Sequence, residues 1–342
     1  HVIRAWGLLR PAMMIISGVA TTVVLLLGSS RVVEGMITVG VLLTFLQYTV
    51  QLWRPVRNLT EKFNLIQTAL TAGERIVDVL EARAEVVELP QAEAGLEVAR
   101  GQIEFDAVRF KYPSKDQEVL GGIDFVVEPG QTLALVGDTG AGKSTIAHLL
   151  SRFYDVTGGE VRIDGVDVRR YKLGKLRSGL ALVPQDVVIF AGSIRENITL
   201  GMEVSDERLW ECIRAVRADV IIERFAKGLE HVLEEGGRTL STGERQLLSF
   251  ARALVFNPPI LLLDEATANV DTQTEVLIQQ ALDRLTQGRT SVIIAHRLST
   301  IREADLILVL RHGKVVERGD HDALMALNGE YSRLVHLHSR AD

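Results

Sequence analysis

The run Gly137-Asp138-Thr139-Gly140-Ala141-Gly142-Lys143-Ser144 has the spacing G-x-x-x-x-G-K-[ST]. Its chemistry is phosphate binding. The glycines let successive backbone N–H groups turn inward around phosphate oxygens, at the positive end of the helix that follows. Lys143 is expected to reach the β- and γ-phosphates, and the Ser144 hydroxyl to ligate Mg²⁺. Gly137, Gly140, Ala141, Gly142 and Thr145 complete the expected nucleotide contacts, whereas Asp138 and Thr139 occupy variable positions without a role. A second constellation is Asp264-Glu265 at the end of an apolar run. There Asp264 suits a Mg²⁺ contact, and Glu265 is placed to orient and deprotonate water. His296 ends a third apolar run and is a candidate for facing a γ-phosphate.

These residues need strands to carry them. Leu133–Val136 is a short β-prone run leading into the glycine loop, and Ile146–Leu150 reads as the helix after it. Ile260–Leu263 is apolar throughout, as a buried parallel strand is, and Ser291–Ala295 reads as a third buried strand. The pattern predicts an α/β fold of the P-loop NTPase kind.

Composition bounds the rest. A chain of 342 residues holds two domains, possibly three, and 24% charged residues exclude disorder. Mean hydropathy is nevertheless +0.17, so the apolar residues must be concentrated in one region. The single cysteine, Cys212, excludes an intramolecular disulfide and a four-cysteine zinc site. It falls with Leu209, Ile213 and Val216 on one helical face behind a Ser205 cap, which makes it a core residue. A net charge of −6 argues against bulk electrostatic binding of nucleic acid, and no nucleic-acid partner is expected.

The apolar region is N-terminal. Residues 11–28 and 35–53 carry no charge, and each stretch spans about 27 Å as a helix, close to the hydrocarbon thickness of a bilayer. Ser29–Glu34 is expected to be the turn of a helical hairpin. Arg4 and Arg10 precede the first span, and Arg54 and Arg57 follow the second, which places both ends in the cytoplasm by the positive-inside rule. The alternative is a pair of buried core helices. Beyond the second span, Leu65, Ala69, Ala72, Ile76 and Leu80 recur at helical spacing, so one helix is expected to continue into the cytoplasm. The expected division is a transmembrane segment over 1–85 with spans near 11–28 and 35–54, a linker over 86–101, and a nucleotide-binding domain over 102–342.

The motifs together resemble the ATP-binding cassette (ABC) transporters, and the resemblance covers essentially the whole chain. Residues from about 102 to 336 resemble the nucleotide-binding domain, and the two spans resemble the last two transmembrane helices of an exporter half. Leu240-Ser241-Thr242-Gly243-Glu244 stands where the family's Leu-Ser-Gly-Gly-Gln signature belongs. The resemblance implies that Ser241 and Gly243 act on the γ-phosphate bound by another subunit. It likewise implies that Tyr112 stacks on adenine and that Gln185, after Val183-Pro184, links metal and attacking water to the transmembrane part. Asp271 then lies in the loop crossing the dimer interface, and His296 is the switch histidine. Glu265 would be the general base. Two such domains would sandwich ATP, and closure would turn the membrane helices outward.

The resemblance carries further expectations. Exporters of this type have six-helix membrane domains, so the chain is expected to be the C-terminal part of a longer half-transporter, integral to a membrane and multi-pass, with its nucleotide-binding domain cytoplasmic. Mg²⁺ and ATP are the expected ligands, and the exported solute is a drug, lipid or peptide. Thr242 and Glu244 depart from the signature. They add a Cβ and a carboxylate near a polyanion, so the expected partner is a second, different half-transporter subunit, giving one competent and one degenerate site. Competing readings are a soluble ABC-type ATPase, which the uncharged spans oppose, and a nucleotide-gated regulatory subunit, which intact Lys143, Asp264, Glu265 and His296 oppose.

Overall fold

Helix α1 (Val2–Val33) and helix α2 (Val39–Glu81) make up most of the first of two units, His1–Ala84 and Glu85–Asp342. The computed structural model describes all residues except 1, 83, 91, 94, 115, 265–271, 296, 297 and 339–342. Residues 2–10, 53, 54, 56, 57, 60, 61, 272, 273 and 338 are described as backbone only.

The turn between α1 and α2 falls later than expected. Ser29, Ser30 and Arg31 stay helical, with the Ser29 hydroxyl donating to the Leu26 carbonyl at 3.1 Å. The stop comes at Gly35, whose φ of +73° is open to glycine. Gly35 N donates to Val32 O and Met36 N to Arg31 O, the paired bonds of a Schellman cap. Thr38 then caps α2 by accepting from Val41 N. The second apolar stretch therefore starts at Val39 instead of Gly35.

Among the described residues, Pro11–Val33 is long and apolar enough to cross a membrane, whereas the apolar part of α2, Val39–Leu52, is shorter. Large side chains such as Met14, Ile15, Leu26 and Leu27 are exposed along α1. Helix α2 runs unbroken through Pro55 for 43 residues, about 64 Å, or twice a hydrocarbon layer.

The second unit is built on a parallel sheet. Its strands are β1 (Ile103–Phe110), β2 (Leu120–Val127), β3 (Thr132–Val136), β4 (Gly158–Ile163), β5 (Val166–Asp167) and β6 (Leu180–Val183). There follow β7 (Gly192–Ser193), β8 (Val232–Leu233), β9 (Ile260–Asp264), β10 (Thr290–Ile294), β11 (Leu306–Arg311) and β12 (Lys314–Gly319). The main sheet has the order β12-β11-β3-β10-β9-β6, parallel except for its edge strand β12. A smaller antiparallel sheet has the order β2-β1-β4-β5, and β7 pairs with β8.

Alternation along the parallel strands divides the core in two. Leu133, Leu135, Leu262, Val292 and Ile294 face the antiparallel sheet and helix α3 (Lys143–Leu150). Ala134, Val136, Leu261, Leu263 and Ile293 face a helical layer. That layer includes α5 (Ile194–Thr199), α6 (Asp206–Ala215), α7 (Asp219–Glu223), α8 (Thr242–Phe256) and α9 (Thr272–Thr286), whereas α4 (Leu173–Ser178) contributes Leu176 to the other side. With both faces covered, the parallel strands are apolar along their middle, with polar residues at their ends, which is why the runs are recognisable in the sequence. Cys212 is buried in the helical layer behind the Ser205 cap, and burial pushes its thiol above the usual range.

The described residues between 85 and 100 are pinned to this unit at several points. Asp164, at φ +52° in the two-residue turn between β4 and β5, accepts from Ala99 N, Arg100 N and Gln102 N at 2.9, 3.0 and 2.9 Å. Glu88 accepts from Leu173 N, and Glu93 and Glu97 pair with Arg170 and Lys175. Arg152 is fully buried, donating to the Val87 carbonyl and to Asp155. Removing the Asp164 carboxylate strands three amides that face water in part. Asp164→Ala is expected to destabilise the protein by about 1–2 kcal/mol and Asp164→Asn by less, measured by thermal unfolding of the purified protein.

Candidate active site

The register of the parallel sheet gathers the chemistry-bearing residues. Leu135 of β3 pairs with Ile294 of β10, Ile294 with Asp264 of β9, and Leu263 of β9 with Val183 of β6. The glycine loop follows β3, Asp264 ends β9, and Gln185 lies two residues beyond β6. All stand at the carboxyl edge of the sheet, where open α/β sheets bind ligands.

A cavity of about 700 Å³ opens there, large enough for a nucleotide. Tyr112, Gly140, Gly142, Lys143, Ser144, Thr145, Gln185 and Asp264 line it, all of them expected from the sequence. Gln117, Glu118, Val119, Thr139, Ile294, His312 and Gly313 line it too, without having been expected. Gly137 and Ala141 shape the loop from behind. At Gly137, φ is +147° and a Cβ would collide with the Leu310 carbonyl oxygen, so only glycine lets the loop leave β3 against β11.

Lys143 is buried, 7% exposed, and its ammonium donates to Gly137 O at 2.6 Å and Asp138 O at 3.0 Å. Burial pushes its pKa down, and the Asp138 and Asp264 carboxylates oppose that shift. Ser144 is exposed on the first turn of α3 and lines the cavity. Ser144, Gln185 and Asp264, each with a side-chain oxygen, thus line the same cavity. No group of three or more His, Cys, Asp or Glu forms a metal cage among the described residues. Such a sparse oxygen set fits Mg²⁺ arriving with phosphates and keeping its waters, as Mg²⁺ commonly does.

Tyr112 is braced on several sides. Its ring meets Phe110 edge-on at 4.8 Å and Tyr154 at 5.1 Å. Its hydroxyl lies 3.1 Å from Thr145 Oγ1 and 3.3 Å from His148 Nδ1. His148 is a contact that motif reading missed. The available signal was helical spacing, since Thr145 and His148 are three apart on α3 and share a face. Burial pushes the His148 pKa down, with Asp264 opposing, which favours the neutral ring.

Ser241 and Gly243 do not line this cavity. They start α8, where Ser241 Oγ accepts from Glu244 N at 3.2 Å and Glu244 Oε2 accepts from Ser241 N at 2.8 Å. Glu265, Asp271 and His296 lie outside the described residues.

Residues 120–268 match the ABC transporter family. The chain is 45% identical, over 97% of its length and 55% of the relative's, to an uncharacterized ABC transporter ATP-binding protein, YknV, of Bacillus subtilis. It is 41% identical, over 96% of its length and 52% of the relative's, to a fatty acid ABC transporter ATP-binding/permease protein of Mycobacterium tuberculosis. Among solved structures it is similar to a bacterial Atm1-family ABC exporter with ATP bound, at 37% identity and a TM-score of 0.72, covering 98% of this chain and 58% of that one. The chain spans about half the length of the curated relatives it matches.

The bracing of Tyr112 separates two contributions. Tyr112→Ala is expected to weaken ATP binding by about 1–3 kcal/mol while leaving turnover at saturating ATP within about twofold. Tyr112→Phe keeps the ring and loses the hydroxyl contacts, and is expected to cost about 0.5–1.5 kcal/mol of binding. Equilibrium titration with a fluorescent ATP analogue, alongside steady-state kinetics, reads both.

Proposed function

The chain belongs to the ABC transporter family, carrying an ABC ATPase domain preceded by helices as in exporter ATP-binding/permease proteins, and from that premise we propose that it powers export of a drug, lipid or peptide across a membrane, as one subunit of a dimer. The observation that carries this reading is the cavity at the sheet edge where the glycine loop, Lys143, Tyr112, Gln185 and Asp264 converge.

In this reading Tyr112 stacks on adenine and the N–H groups of the loop from Gly137 to Gly142 cradle the phosphates. Thr145 stands behind them, and Lys143 exchanges its loop carbonyls for β- and γ-phosphate oxygens. Ser144, Gln185 and Asp264 would hold Mg²⁺, which supplies neutralisation of charge on the transferring phosphoryl group. Glu265 takes a proton from the attacking water, and His296 holds the γ-phosphate. Ser241 and Gly243 close on the nucleotide of the opposite subunit, with Asp271 crossing the interface. Little covalent chemistry is asked of the protein; ATP binding favours the closed pair of domains, and hydrolysis releases it.

The helical unit supports a membrane location. Pro11–Val33 is apolar along an exposed helix, and such a surface in water is a liability. The protein is proposed to be integral to a membrane and multi-pass, with α2 carrying the chain toward a cytoplasmic nucleotide-binding domain. The finer proposal is a heterodimer. Thr242 and Glu244 alter the signature that this chain offers its partner, so one composite site hydrolyses ATP and the other mainly holds it.

Two experiments test these proposals. Glu265→Gln in the assembled transporter is expected to lower ATP hydrolysis at least about a hundredfold and leave ATP affinity within a few-fold, because the carboxylate acts on water and not on the bound phosphates. An undiminished rate rules Glu265 out as the base. Trapping with a phosphate analogue is expected to leave one ADP per dimer, on this chain's glycine loop. Equal trapping at both sites rejects the heterodimer.

A further inference from the structure

Glu244 introduces a carboxylate at the start of α8, beside residues proposed to meet a polyphosphate, and both its oxygens are engaged. Oε2 accepts from Ser241 N at 2.8 Å. Oε1 pairs with Arg224 Nη1 at 2.5 Å. Glu244 is only 16% exposed at its side chain, so the pair is screened by water chiefly on the arginine side, which is 51% exposed. Arg224 caps the C-terminal end of α7, where a cation is favoured, and its guanidinium lies 5.7 Å from the Phe225 ring.

Two consequences follow. The carboxylate fills the same reciprocal cap that a glutamine would, since the capping box accepts either. Its charge, the feature that distinguishes it from glutamine, is met by Arg224. The Ser241 hydroxyl accepts from Glu244 N and so keeps its own proton to donate. Thr242 is held in a similar way, its Oγ1 accepting from Arg245 Nη2 at 3.1 Å while Arg245 Nη1 donates to Leu240 O at 2.8 Å.

We propose that Arg224 is a positioning residue for the opposite subunit's nucleotide: by neutralising Glu244 and fixing it in the cap, it keeps the altered signature able to bind ATP. The proposal rests on the reading of Ser241 and Gly243 as contacts to that nucleotide. It predicts dependence on Arg224 that disappears once the carboxylate is removed.

The test is a double-substitution cycle in the full-length assembled transporter. The readout is the 8-azido-ATP concentration giving half-maximal photolabelling of the subunit facing this signature. Arg224→Ala is expected to raise that concentration about fivefold, because an unpaired carboxylate then faces the phosphates. Arg224→Lys is expected to restore most of the loss. In Arg224→Ala/Glu244→Gln the value should return to within about twofold of Glu244→Gln alone, an outcome that a general loss of folding would not produce. An Arg224→Ala value equal to that of the unaltered protein overturns the proposal, as does a double variant as impaired as Arg224→Ala. Ser241→Ala separates the premise from the inference: weakened labelling sustains the signature reading, and unchanged labelling removes that reading and the proposal with it.

Discussion

The Lys143 ammonium is taken largely out of water before any phosphate arrives, and the nucleotide-binding unit is arranged around that burial. An isolated cation in such a place is costly. Two loop carbonyls and the carboxylates of Asp138 and Asp264 offset part of the cost, and the pKa still moves down, so desolvation remains the larger effect. On the proposed reading, a polyphosphate would supply the missing counter-charge in a setting where little water must be displaced from the lysine. The loop can offer this only because Gly137 lies flat against the Leu310 carbonyl, which ties its start to a neighbouring strand. The fold therefore holds Lys143 as an imperfectly compensated charge.

The two-sided core explains where the remaining groups stand. Successive residues of β3 feed opposite clusters, Leu133 and Leu135 on one side and Ala134 and Val136 on the other. A strand packed on both faces has no side left for polar chemistry along its length. Function is pushed to the strand ends, and parallel pairing brings several carboxyl ends into one row. Asp264 is the one charged residue of the β9 run Ile-Leu-Leu-Leu-Asp, and it comes last.

Much of this was legible in sequence because the signals are local. The glycine loop, the flanking apolar runs, the Ser205 cap and the start of α8 all depend on neighbours within a few residues. Tyr112 was identified, but its contacts with Thr145 and His148 join residues 33 and 36 positions away, and no periodicity encodes that distance. Gln117, Glu118 and His312 reach the cavity through folding of the antiparallel sheet and the β11–β12 hairpin. The helical hairpin was misplaced for a different reason. Polar Ser29, Ser30 and Arg31 read as a turn, yet serine hydroxyls can bond within a helix, and the backbone stop belongs to Gly35. Glu265, Asp271 and His296 were read from motif alone and lie outside the described residues.

Helix α3 joins two parts of the unit that the sequence keeps far apart. Its first turn carries Lys143 and Ser144. Just past its last turn, Arg152 donates to the carbonyl of Val87, and Arg177 donates to the carbonyls of Ser151 and Arg152. The helix is eight residues long, about 12 Å, and six of those residues are buried. Close-packed elements of this length move as solid bodies, because bending them opens voids. A displacement at the phosphate end must then be absorbed around Arg152 or passed to Val87. Absorbing it would strain bonds to a guanidinium with no exposure to water, and such bonds are expensive to break. The segment 85–100 is held by further bonds at Glu88, Glu93, Glu97 and Asp164. It follows α2 in the chain and is fastened to the nucleotide side at several points. Within the nucleotide-binding unit, α3 is thus tied to the segment around Val87 through one buried arginine, and that segment is held in turn by more exposed ion pairs and hydrogen bonds.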